Sequence, residues 1–191
     1  MNRAIVIGSF VGSPWLKDCI DSMPRDIPVI VVCEPNYECG KIGWVHRHTN
    51  LDEFLFLPDT TVAKKHEWIR EAFERQGSVS VNNEPAPMGS FMGKYRRQIL
   101  DITGVPHTPD KSSAVDAEAM WTRKYCASET TPVHVLFPDF QHGPTPAKLE
   151  HKHGRMNAVM ENDHLIKWKG TWHGGLIGEA EARDRQLAGR I

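Results

Sequence analysis

Long hydrophobic runs are missing from this chain. No stretch approaches the roughly 20 apolar residues of a membrane-crossing helix, so no helical span is expected. Cysteine is scarce too. Cys19, Cys33, Cys39 and Cys126 are the four, and their spacing makes no close-set metal pattern. At 191 residues the chain is large enough to bury a good core without disulfide staples. Cys19 and Cys33 lie in apolar segments, as buried thiols do, which points to a reducing cytoplasm. Met1-Asn2-Arg3 and the short apolar run behind it lack the length and cleavage site of a secretory signal.

An excess of charge is also absent. The 23 basic and 24 acidic residues leave a formal charge of -1, which predicts no strong field toward nucleic acid. Basic character is local, in Lys94-Tyr95-Arg96-Arg97 and His151-Lys152-His153-Gly154-Arg155. The ten histidines lean weakly toward metal or phosphate chemistry. Gly8 and Gly12 fall in the first strand-to-helix turn without making G-x-G-x-x-G, so the dinucleotide fingerprint is missing. No repeat, low-complexity segment or boundary divides the chain, and one domain over 1–191 is expected.

What is present is an α/β pattern. Ala4 to Phe10 reads as a buried strand ending in a turn, Pro14 opens a short helix to about Ser22, and Pro28 to Cys33 is a second β-branched strand. Such β-α-β units make parallel strands. Glu34 to Gly40 is polar and reads as a loop, Ile42 to Val45 as a short strand. Thr61 to Arg75 is expected to be the longest helix, stopped by Gly77, with Ser78 to Val81 a half-buried strand. Asn82 to Ser90, with two prolines and a glycine, reads as a substrate-facing loop. Phe91 to Ile102 is expected to be helical with a basic polar face, and Ala114 to Tyr125 a helix capped by Ser113. Val133 to Phe137 is a strand and Gln141 to Lys152 a polar loop. Met156 to Met160 and Leu165 to Lys169 are two strands joined by a turn at Glu161 to His164. The charged, Ala-rich tail after Gly174 reads as a peripheral helix.

The most informative segment is Glu53-Phe54-Leu55-Phe56-Leu57-Pro58-Asp59-Thr60-Thr61. Its apolar run is a strand buried on both faces, which Pro58 ends. Asp59 therefore stands at a strand's carboxyl end, where ligands of open α/β sheets bind. An acid there suits a metal, a diphosphate–metal pair or a proton transfer; it also suits a helix cap.

Several segments taken in order resemble small glycosyltransferases of the GT-A type. They are Tyr37-Glu38-Cys39-Gly40 with Trp44, the Phe54 to Thr60 segment, Gly93-Lys94-Tyr95-Arg96, and Asp110-Lys111 with Val115 and Glu118. Gly154-Arg155-Met156-Asn157 running into Lys167-Trp168-Lys169-Gly170-Thr171-Trp172 completes the set. The resemblance covers most of the chain, from Arg3 to His173. It implies a GT-A-like, Rossmann-type mixed and mostly parallel sheet flanked by helices. It also implies transfer of a sugar from a nucleotide-sugar donor, with Mn²⁺ or Mg²⁺ on the donor diphosphate. The family's acid-x-acid motif is reduced here to Asp59 alone. The resemblance therefore implies a metal held by Asp59, or by Asp59 with His151 or His153.

The leaving nucleoside diphosphate must meet positive charge. Lys94, Arg96, Lys111, Lys152 and Arg155 are the candidates for it, and Gly8, Ser9, Phe10 and Glu34 are candidates for the base and ribose. Asp59, Glu118 and Asp110 are the candidate catalytic acids, Glu118 or Asp110 serving the acceptor as base. Each has a plainer alternative. Lys94 to Arg97 suits a solvated surface, Asp110-Lys111 a surface pair, and Glu118 the outer face of a helix. His151 and His153 suit a basic loop, and Lys167 and Lys169 the exposed side of a strand. The acceptor is unidentified: protein, glycan or DNA base, with no membrane. A nucleotidyltransferase is the rival enzyme class, but the first turn has none of the Lys or Arg it needs. A degenerate fold that only binds nucleotide or a partner is the non-enzymatic alternative.

Overall fold

The computed structural model describes residues 1–34, 37–82, 88, 92–108, 111–140, 148–151 and 154–168. At 111–113, 115–116, 118–119, 148–151, 154–160 and 168 it describes the backbone alone. The elements are β1 (Arg3–Gly8), α1 (Leu16–Asp21), β2 (Val29–Val32), α2 (Glu38–His48), β3 (Glu53–Pro58), β4 (Thr61–Ala63) and α3 (Glu67–Glu74). Then come β5 (Val79–Asn82), β6 (Gly93–Arg96), α4 (Arg97–Thr103), α5 (Lys111–Ala127), β7 (His134–Phe137), β8 (Lys148–His151), β9 (Gly154–Glu161) and β10 (Leu165–Trp168).

The chain is an α/β fold built on a six-stranded sheet ordered β2-β1-β3-β6-β5-β7. β1 pairs in parallel with β2 and β3, and β5 with β7, while β6 runs antiparallel to both β3 and β5. One reversed strand thus interrupts a mostly parallel sheet. The apolar runs of β1 and β3 follow from burial on both faces. Ile5, Ile7, Leu55 and Leu57 join Cys19 of α1 and Trp68, Ile69, Ala72 and Phe73 of α3 in one core. Their alternating neighbours Ala4, Val6, Phe54 and Phe56 join Ile42 and Val45 of α2, Leu100 of α4 and Trp121 of α5 in the other. Helices therefore cover both faces of the sheet. A second, antiparallel sheet, β4-β10-β9-β8, starts directly after β3.

Several elements differ from the sequence expectation. Residues Thr61 to Ala63 form β4, because these residues pair with β10 across the chain, and β-branched Thr61 and Val62 suit that pairing. The helix begins only at Glu67, its apolar stripe as expected, and α5 with 17 residues is longer. Ile42 to Val45 belongs to α2, where Cys39, Ile42 and Val45 fall on one buried face. The predicted helix over Phe91 to Ile102 is β6 followed by α4. Gly93 explains the switch: a Cβ there would stand 2.9 Å from the Val79 carbonyl oxygen, so the missing side chain admits a neighbouring strand. Helix α5 begins at Lys111, which puts Ser113 inside it. Lys148 to His151, expected as loop, is a strand paired with β9. The β9–β10 turn forms where expected, with the Asn162 carboxamide oxygen accepting from the His164 and Leu165 amides at 2.8 and 2.9 Å. The tail after Gly174 lies outside the described residues.

Candidate functional site

Register brings three strand ends abreast. Gly8 lies opposite Val32 on one side and Pro58 on the other. The residues that follow, Ser9, Cys33 and Asp59, therefore stand side by side at the carboxyl edge. Backbone bonds continue the ladder past the strands: the Ser9 amide donates to Val32 at 2.9 Å and the Asp59 amide to Gly8 at 3.0 Å. Ser9 donates its hydroxyl to Asp59 Oδ2 at 2.7 Å. Ser13, in the turn after Gly12, also hydrogen-bonds the Asp59 carboxylate. Gly12 has φ +79° and Ser13 donates its amide to Phe10 at 3.1 Å, so this turn folds Phe10 to Ser13 back over the strand end.

Asp59 is 6% exposed. Burial raises its carboxyl above the ordinary aspartate value, opposed by the bonds from Ser13 and Ser9 and by the charges of Lys41 and Lys167. Those lysines arrive from opposite faces of the sheet. Lys41 is on α2, whose buried residues belong to one core; Lys167 is on β10, whose Leu165 belongs to the other. A Cβ on Gly8 would fall 2.9 Å from Lys41 Cδ and 2.5 Å from the Phe56 ring. The bare backbone at Gly8 is what lets the lysine stem cross the strand end. Lys167 lies opposite Thr61 in the β4–β10 ladder, its Nζ 3.5 Å from Thr60 Oγ1. Cys33 is exposed, but partial burial and the Asp59 charge push its thiol up, away from the reactive thiolate. Glu34 follows it at the end of β2, half-buried.

Lys94 and Arg96, expected to bind phosphate, belong to the opposite end of the sheet. Arg96 lies opposite Glu53 and Lys94 opposite Leu55. Six residue steps of strand separate Glu53 from Asp59, roughly 20 Å. Lys94 is fully buried, with its ammonium 3.3 Å from Glu53 Oε2 and donating to the Arg75 carbonyl at 2.6 Å. Arg96 donates to Glu129 Oε2 at 2.7 Å, and Tyr125 bonds both Ser78 and the Arg96 amide at 2.7 and 2.8 Å. Both cations are structural, because each is paired with an acid inside the fold.

His151 and Arg155 are also separated from Asp59. Lys167 lies opposite Met160, whereas His151 lies opposite Gly154, six positions further along β9. That register sets the His151 backbone roughly 20 Å along the sheet from Lys167. Glu118 and Lys111 lie on α5 with backbone alone described; Asp110, Lys152 and His153 lie outside the described residues. The described neighbours of Asp59 fit a divalent cation poorly. It is a lone carboxylate, it accepts two hydroxyl hydrogen bonds, and two ammonium groups act on it. Among the described residues no three His, Cys, Asp or Glu side chains group as a metal cluster.

Sequence reasoning found Ser9 and Asp59 but missed Ser13, Lys41 and Lys167. Lys41 had a usable signal, a cation one residue past the Tyr37-Glu38-Cys39-Gly40 segment at a neighbouring strand end. No family model and no curated protein matches the chain. Among solved structures it is similar to A197 from STIV, at 11% identity over 89% of this chain and 95% of that one. The TM-score of 0.48 is too low for that likeness to carry a functional argument. Among the described residues no helix is long and apolar enough to cross a membrane.

Proposed function

We propose that this chain is a glycosyltransferase whose nucleoside-diphosphate sugar lies at the carboxyl ends of β1, β2 and β3. The observation that carries the reading is Asp59, buried at the central strand end with two hydroxyls on its carboxylate and two lysines acting on it. Carboxyl edges of open α/β sheets are where nucleotides lie, and a departing diphosphate gains charge that fixed cations stabilise. Lys41 and Lys167 supply that charge. Asp59 holds Ser9 and Ser13, which shape the turn beneath the nucleoside. Phe10 and Glu34, at the ends of β1 and β2, border the same edge. Glu118 and Asp110 remain the candidates for the acceptor's base, on chain order alone. The acceptor is taken to be a protein, a glycan or a DNA base.

Thermal melting against a nucleotide panel, on wild type and Asp59→Ala, tests the site. A nucleoside diphosphate raises the melting temperature of the wild type by mass action, and the rise shrinks in the variant. Release of diphosphate from a matching nucleotide sugar then separates a transferase from a protein that only binds. No rise with any nucleotide contradicts the reading.

A further inference from the structure

We propose that β2, an edge strand of the six-stranded sheet, pairs antiparallel with β2 of a second copy of this chain, about a two-fold axis at Val31. Strand order leaves β2 at the end of the sheet, with β1 as its one strand partner among the described residues. Backbone parity shows which of its groups are spent. Pro28 and Val32 accept from the Ile5 and Ser9 amides, both at 2.9 Å, so Pro28, Ile30 and Val32 face β1. Val29, Val31 and Cys33 turn their amides and carbonyls the other way, and no described residue takes these backbone groups up. Edges of this kind are normally blunted by a charge, a proline or a bulge. Here Ile27 to Cys33 carries no charge, and Pro28 lacks only an N–H that would have faced β1. Val31 is 36% exposed.

Two features select a second copy as the occupant. The first is register. Antiparallel pairing through Val31 sets outward-facing residues opposite one another, Val31 against its own copy and Val29 against the partner's Cys33. Each such pair exchanges its N–H and C=O bonds, and the exposed Val31 side chains cover each other across the axis. Charge is the second. The approach to β2 carries exposed Arg25, with Asp26 already paired to Arg70 at 2.8 Å, and the exit carries Glu34. An antiparallel pair brings the Arg25 end of one copy to the Glu34 end of the other, whereas a parallel pair sets like ends together. The partner's Pro28 then stands beside Glu34, on the β2 side of the carboxyl edge. Such a dimer is independent of whether that edge binds nucleotide.

Light scattering on the eluting protein, over a dilution series, tests this on wild type, Val31→Lys and Met120→Lys. Wild type is expected to run at about twice the 21.6 kDa of the chain. Val31→Lys sets like charges opposite each other on the axis and is expected to be a monomer that keeps the wild-type circular dichroism. Met120→Lys, at a 73% exposed position on α5, is expected to remain a dimer. Oxidation of Val31→Cys in a Cys33→Ser background is expected to link the copies, because paired Cα atoms about 5.5 Å apart suit a disulfide. The Cys33→Ser parent is expected not to link. A wild type that is monomeric at every concentration overturns the proposal. So does a dimer that Val31→Lys leaves intact, or one in which Val31→Cys does not link.

Discussion

The two ends of β3 carry similar side chains and use them differently. At the amino end, Glu53 and Glu129 meet Lys94 and Arg96 in pairs, two acids against two bases. At the carboxyl end, Asp59 stands against both Lys41 and Lys167. The first end is neutralised from within and its charges are locked among β3, β6 and the chain after α5. At the second end the cations come from α2 and β10, whose buried residues belong to different cores. A buried charge shows little about function until its partners are counted. Balance marks a structural pair at the amino end, whereas at the carboxyl end one buried carboxyl lies within the influence of two lysines.

Breaking the amino end gives the largest expected effect. Lys94→Met leaves Glu53 buried without its cation and is expected to cost about 3–5 kcal/mol of stability in urea denaturation. Adding Glu53→Leu restores most of that loss, because no uncompensated charge then remains. A full-stability single variant would show that the pair is not needed. At the carboxyl end, Gly8→Ala forces a methyl against the Phe56 ring and the Lys41 stem. About 1–3 kcal/mol of overpacking cost is expected, together with weaker nucleotide binding as Lys41 is displaced. Unchanged binding would show that the lysine stem does not depend on that crossing.

The smallest effect sharpens the contrast through pH. Burial raises the Asp59 carboxyl in the folded chain, so the folded state holds a proton that the unfolded state releases sooner. Stability from this group therefore falls as pH rises from the ordinary aspartate range through the raised value. Asp59→Asn removes the penalty. The variant is expected to melt above wild type near about pH 7, with the difference vanishing below about pH 3. A constant difference at both pH values would contradict the assignment. Nucleotide binding should fall in the same variant, which separates its effect on the site from its effect on the fold.

Much of the sheet was legible because β1 and β3 are buried on both faces. A run such as Phe54-Leu55-Phe56-Leu57 has few other outcomes, and Pro58 marks where it ends. Asp59 followed from that ending. Lys94 and Arg96 did not, since a basic tetrapeptide looks like surface until Glu53 and Glu129, distant in sequence, are brought to it by pairing. The α/β alternation failed where tertiary pairing outweighed local pattern, at β4 and β6. Lys41 was hidden because α2 reads locally as a polar loop up to Gly40 and a short strand over Ile42 to Val45, with Lys41 at the junction. Lys167 was read as the exposed side of a strand; the strand is there, but the β4–β10 register turns it toward the site.

The most direct measurement is backbone amide NMR during titration with the nucleoside diphosphate that the melting panel selects. Resonances of Gly8 to Ser13, Lys41, Asp59, Thr60 and Lys167 are expected to move together, with those of Lys94 to Arg97 and Glu129 unchanged. Shifts centred on Lys94 to Arg97, or none at the Asp59 strand end, would contradict the division of β3 into a structural end and a ligand-binding end.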